Sequence, residues 1–297
     1  MNVQRMIVYL LSLAMTAGGY AARAAGDAKA EQLMAQARAA LGGEKNLNKV
    51  QGLTATGTYQ RTMQDRQVGG EVTIDLQFPD KLLRTESLSP MGDILLVTEQ
   101  GLNGEKLLRS QRTLNGPPGM VVRSPPAPTG DAEVQAVRNA RADLARTALA
   151  FLLTSPASLP LEFSAGGEAE SDEGKADVIE AKGAGNFAAR ILLDQKSHRP
   201  LMIMYRGVAP RVMVQTRQGP PPPDGGRGRG ESPHDAPAAV AAQVVDIILY
   251  LDDYRAVDGV MLPHHMARSI DGKPAEETTF KTIKINPAFK PDTFAVR

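Results

Sequence analysis

QVVDIILYLDDYRAVDGVMLPHHMARSIDGKPAEETTFKTIKIN, residues 243–286, is the stretch that decides the fold. It reads as three strands, Gln243 to Arg255, Val260 to Ser269 and Glu276 to Asn286, joined by Asp258-Gly259 and Asp271-Gly272. Asp-Gly between apolar runs is the composition of a tight hairpin turn, because the two central residues need positive φ. The two turns fix the register of an antiparallel unit more firmly than any other part of the chain.

Working outward, the same period of two recurs. In Glu71 to Phe78, Val72, Ile74, Leu76 and Phe78 face one way and Glu71, Thr73, Asp75 and Gln77 the other, which describes a strand with one buried face. A strand also starts at Leu53. Lys81 to Leu88 returns after Pro79-Asp80, and Asp93 to Gln100 pairs with Glu105 to Ser110 around Asn103-Gly104. Four further strands, Leu161 to Glu168, Lys175 to Lys182, Ala188 to Asp194 and Pro200 to Tyr205, are separated by short turn-like segments, the spacing of a meander. Val244 to Leu251 and Leu201 to Tyr205 are apolar on both sides, so the second face of the sheet is expected to be partly covered.

Two segments change the period to that of a helix. In Ala28 to Leu41, Leu33, Ala37 and Leu41 form one side, and Gly42-Gly43 supplies a left-handed cap. In Asp131 to Leu153, Val134, Val137, Leu144, Ala148, Phe151 and Leu152 collect on one side, with Arg138, Arg141 and Arg146 mostly off it, and Pro156 and Pro160 follow. The stretch 115–131 reads as a Pro-rich loop, and 218–237 as a disordered Pro/Gly-rich insert. The expected fold is mainly β with helices (α+β): one strongly curved antiparallel sheet, or unclosed barrel, of about 11–12 strands covered by two or more helices.

The N-terminus carries an address. Arg5, the apolar run Met6 to Ala17 and the small residues Tyr20 to Ala25 have the order of a secretion signal, with cleavage expected after Ala24 at Ala22-x-Ala24. The run is far shorter than the ~20 residues that span a bilayer. Residues 25–297 are then expected to form one domain. With no cysteine among its 297 residues, the chain has no disulfide, thiolate metal site or lipidated cysteine. We expect a soluble periplasmic monomer. Without Arg5 and Arg23 the charge balance is 32 basic against 33 acidic side chains, which gives no bulk attraction for nucleic acid.

Candidate chemistry is sparse. His264 and His265 are adjacent on a strand and point to opposite faces, so they do not share a metal ion. Asp252 and Asp253 alternate in the same way, with no partnered nucleophile. His198 falls in a turn and His234 in the insert. No G-x-S-x-G, H-E-x-x-H or Walker pattern occurs. No catalytic residue, metal or cofactor is expected. The chain has twelve methionines and no tryptophan, a composition that suits core filling first and irregular apolar surfaces second.

The run Asp253-Tyr254-Arg255, Val257-Asp258-Gly259-Val260-Met261-Leu262-Pro263, then Thr282-Ile283-Lys284-Ile285-Asn286-Pro287 before Phe294, resembles the periplasmic outer-membrane lipoprotein-sorting proteins of the LolA and LolB type. The helix-Gly-Gly start and Leu53 to Tyr59 extend the resemblance. It implies an unclosed β-barrel with helices as a lid over an apolar chamber for lipid or lipoprotein acyl chains, with inner- or outer-membrane envelope proteins as possible partners. An apolar chamber suffices for such binding, each buried methylene contributing ~0.8 kcal/mol. The residues expected to line it are Val72, Ile74, Leu76, Phe78, Leu144, Phe151, Ile203, Tyr205, Ile247 and Leu249. Helix 131–153 is the expected lid, so Phe151→Asp weakens ligand binding if that side chain faces the cavity. The rival expectations are an envelope interaction or sensor module on the same sheet and, third, an envelope hydrolase that loses turnover on Asp253→Asn.

Overall fold

The structure, a computed structural model, describes residues 20–63, 66–91, 94–115, 127–172, 174–208 and 243–295. Most of the expected secretion signal, most of the Pro-rich stretch and all of the insert 218–237 lie outside the described residues. Among the described residues, three α-helices, α1 (Tyr20–Ala40), α2 (Glu44–Leu47) and α3 (Asp131–Leu152), accompany twelve strands. The strands are β1 (Gly52–Met63), β2 (Arg66–Gln77), β3 (Lys81–Met91), β4 (Ile94–Asn103), β5 (Lys106–Leu114) and β6 (Leu161–Ser171). They continue as β7 (Gly174–Gly183), β8 (Phe187–Asp194), β9 (Pro200–Val208), β10 (Val244–Val257), β11 (Val260–Ile270) and β12 (Lys273–Ile285).

All twelve strands belong to one antiparallel sheet in the order β5-β4-β3-β2-β1-β12-β11-β10-β9-β8-β7-β6. It is two meanders joined where the first strand pairs with the last, Leu53 opposite Ile285, and it stays open at β5 and β6. Asn286 clasps this seam: its side chain accepts the Gln51 N–H at 2.7 Å and donates to the Lys49 carbonyl at 2.9 Å. Gly57 marks a shift in the seam's register, and a Cβ there would stand 2.0 Å from the Thr279 carbonyl oxygen.

The sheet must curve. Arg141 of α3 reaches Glu105, in the β4–β5 turn, at 3.1 Å, and Arg146 stacks on Tyr205 of β9 at 3.9 Å. Those strands are seven places apart, about 34 Å across a flat sheet at ~4.8 Å per step, whereas five residues of helix advance only ~7.5 Å. Only a sheet wrapped around α3 brings both within reach.

The period-two reading of β2 holds. Val72, Ile74 and Leu76 are buried in the main core, with Thr73, Asp75 and Gln77 on the other face. That core joins the inner face of the sheet to α1 and to Leu144–Leu153. The double-sided strands are explained by a second cluster on the outer face, where Val178, Leu192 and Met202 are buried and Leu201, Met204, Ile248 and Tyr250 half-buried. Phe289 and Phe294 pack with Leu83 and Leu108 in a third cluster.

α1 begins at Tyr20 instead of Ala28, because the alanine-rich residues before Ala28 are good helix formers. The expected cleavage point after Ala24 falls inside it. Its last turn is tied to the end of α3: the Arg38 guanidinium donates to the Leu153 carbonyl at 2.8 Å and pairs with Glu44. A cation there satisfies a free carbonyl and the negative end of the helix dipole together.

Gly42, at φ +118°, lies against the β10–β11 hairpin, and a Cβ on it would stand 2.2 Å from the Gly259 carbonyl oxygen. Gly43, at φ +82°, has open space around it. Gly43→Ala is therefore expected to cost only backbone strain, about 2 kcal/mol, because φ +82° with ψ +159° is a conformation essentially confined to glycine. Gly42→Ala adds a clash with backbone to a comparable strain and costs about 4 kcal/mol. Urea unfolding of the two variants checks this; equal losses would show that α1 does not press on the hairpin.

Candidate functional site: a cleft beneath the first half of α3

The apolar side of α3 stops halfway. Every residue from Ala148 to Leu152 is buried, as are Leu144 and Ala145, whereas Asp131 to Gln135 are exposed, Val134 at 59%. The sequence signals the break, since Asp131 to Asp143 offers the core only Val134, Val137 and alanines. A helix packed through one half and unpacked through the other leaves a space beneath the unpacked half.

That space is a cleft of about 1130 Å³. Its roof is α3 from Glu133 to Arg146, and its floor is the sheet's inner face at Tyr205, Ile247, Arg268 and Ile270, with Val208 and Val244 exposed at the adjoining strand ends. Ser158 to Pro160 and Ala184 to Phe187 close one side. The wall is apolar at Val137, Leu159, Phe187, Ile247 and Ile270, and it carries five arginines, 138, 141, 146, 206 and 268, against the carboxylates of Glu105, Glu133 and Asp143.

Of the ten residues expected to line a chamber, Tyr205 and Ile247 line this cleft. Val72, Ile74, Leu76, Leu144, Phe151 and Ile203 are buried in the main core, and Phe78 and Leu249 are half-buried against it. The arginines escape a sequence reading because a charged side chain off a helix's apolar face looks solvated.

The charges are arranged in pairs. Arg141 meets Glu105 at 3.1 Å, Arg146 meets Asp143 at 2.8 Å, Arg206 meets Asp246 at 3.6 Å and Arg268 meets Glu276 at 2.9 Å. The Nε atoms of Arg141, Arg146 and Arg268 are buried without a hydrogen-bond partner. Arg146 also lies 5.5 Å from the Phe187 ring centroid, besides its stack on Tyr205. Burial raises the Tyr205 hydroxyl above its ordinary pKa. Asp143 is open to solvent through the cleft yet enclosed by protein, and that desolvation raises its carboxyl against the opposing pull of Arg146, Arg268 and Arg84.

Behind the cleft, Glu276 is shared by Arg61, Arg84 and Arg268, and Glu86 by Arg61 and Arg84. Burial works to raise the Glu276 pKa, but the three guanidinia outweigh it and hold the carboxyl at about 2.

The histidines fall as their alternation requires, whereas Asp253, at φ +52°, interrupts the alternation of β10. His264 is buried with Nδ1 3.1 Å from the Leu262 carbonyl, and His265 meets Glu277 at 2.9 Å. Asp253 pairs with Arg255, whose hydrogen bonds lower its carboxyl pKa, and Asp252 accepts the Asp253 N–H. Among the described residues, no group of three or more His, Asp or Glu side chains is placed to hold a metal ion, and no helix is long and apolar enough to cross a membrane.

No protein-family model matches the chain, and no curated protein matches it in sequence. Among solved structures it is similar to a DUF1329 family protein from Desulfovibrio piger, with 8% identity over 89% of this chain and 96% of that one and a TM-score of 0.47. A LolA superfamily protein from Nitrosomonas europaea has 8% identity over 89% and 96%, with a TM-score of 0.44. A putative outer membrane lipoprotein-sorting protein domain from Vibrio parahaemolyticus has 11% identity over 90% and 97%, with a TM-score of 0.43. Among the described residues, the architecture of this chain is an open antiparallel sheet of twelve strands wrapped around helices.

Proposed function

We propose that this protein is exported to the bacterial envelope and carries a lipidated or otherwise apolar ligand in the cleft beneath α3. The observation that carries the reading is the half-packed helix. Its C-terminal half is core and its N-terminal half roofs a cleft of about 1130 Å³, slightly above the ~300–1,000 Å³ usual for ligand pockets. Binding there needs apolar area and no reacting side chain. Anchored by Leu144–Leu153, the roof opens by movement of its first turns alone, which makes that half of α3 the lid.

Val137 tests this without touching the core. Val137→Asp places a carboxylate in the roof at a half-exposed position and is expected to weaken binding of a fluorescent fatty acid about 10-fold while leaving the melting temperature nearly unchanged. Unchanged affinity with an intact fold, or no binding by the unaltered protein, would count against the cleft as the site. One observation favours a second reading, an envelope interaction module: Leu201, Met204, Ile248 and Tyr250 form a half-buried apolar strip on the outer face. A stable protein partner together with an empty cleft would support it.

A further inference from the structure

We propose that the arginine-lined wall of the cleft selects an anionic head group, so that the ligand is an anionic amphiphile with a carboxylate or phosphate at one end of its apolar chain. The inference rests on the carrier reading above. Arg141, Arg146 and Arg268 each give a terminal nitrogen to a carboxylate, at 3.1, 2.8 and 2.9 Å, and each keeps a buried Nε–H without an acceptor. A guanidinium has five N–H donors and no acceptor, and buried donors are almost always paired. These Nε–H groups are closed to solvent, so a ligand meets the terminal N–H donors, and five lining guanidinia against the carboxylates of Glu105, Glu133 and Asp143 leave the wall rich in donors and short of acceptors.

The arginines are also fixed in place. Arg146 is stacked on Tyr205, and Arg268 is held by Glu276, itself bound by Arg61 and Arg84. Guanidinia already ordered lose little freedom when a carboxylate or phosphate arrives. Arg138, also in the roof, has no ion pair among the described residues and adds a fourth cation. Apolar wall at Val137, Phe187, Ile247 and Ile270 adjoins this cluster, so one molecule can place its chain on the first and its head on the second.

The test compares ligands of one chain length by calorimetry, all below their micelle concentrations: decanoate, decyl phosphate, 1-decanol and inorganic phosphate. At least one of the two anionic amphiphiles is expected to bind about 10-fold or more tighter than decanol, and the stronger of them identifies the head group. The preference should fall in Arg146→Gln and in Arg268→Gln, and persist in Arg255→Gln, which lies outside the cleft. If the first two variants do not fold, the comparison in the unaltered protein decides alone. Equal affinity for decanol and both anions would overturn the inference and leave the carrier reading standing. Inorganic phosphate bound as tightly as decyl phosphate would overturn it in favour of a free-anion site. Failure of every ligand with a chain would overturn the carrier reading and this inference with it.

Discussion

Phe151→Asp is expected to yield no cooperatively folded protein. Phe151 is 1% exposed, and its ring meets Phe280 at 5.6 Å in the main core, beneath the buried half of α3. Deleting a buried phenylalanine costs about 3–5 kcal/mol. A carboxylate left in its place adds a desolvation cost of several kcal/mol, less whatever it recovers by taking up a proton. Together these approach the whole stability of a typical domain, about 5–15 kcal/mol. Circular dichroism and a thermal melt decide it. A variant that melts within a few degrees of the parent and loses only ligand binding would place Phe151 in the cleft wall.

Glu276→Gln is expected to destabilise the fold by about 3 kcal/mol, because one carboxylate with 6% side-chain exposure compensates three guanidinia. For a domain of this size that corresponds to a melting temperature lower by roughly 6–12 °C. The same group sets an acid response. Its folded pKa of about 2 lies below the ordinary carboxylate value of 4.5, so its contribution is complete above about pH 5 and is lost as pH falls toward 2. The parent should therefore lose about 3 kcal/mol across that window, and the variant should lack this part of the response. A variant as stable as the parent, with the same acid profile, would show that the network does not hold the sheet.

Much of this fold is legible in the sequence because its determinants are local. Asp258-Gly259, Asp271-Gly272 and Asn103-Gly104 announce hairpins, and Val72, Ile74 and Leu76 announce a buried face. Strand lengths are less so. β2 begins at Arg66, well before Glu71, because Gly69 and Gly70 carry no side chain to alternate while their backbone still pairs. The seam of β1 on β12 joins residues more than two hundred positions apart and leaves no local mark. The cleft is legible in part. Tyr205 and Ile247 stand out only as members of apolar strands, whereas the arginines carry no periodic signal and acquire their meaning only when the sheet curls them under α3.

We propose that the cleft beneath α3 carries a ligand with an acyl or other apolar chain. Native mass spectrometry of the protein purified from a bacterial envelope tests it most directly. One bound amphiphile per chain is expected, lost when Val137→Asp is introduced. A clean unliganded mass, with no uptake of added fatty acid or lipopeptide, would contradict it.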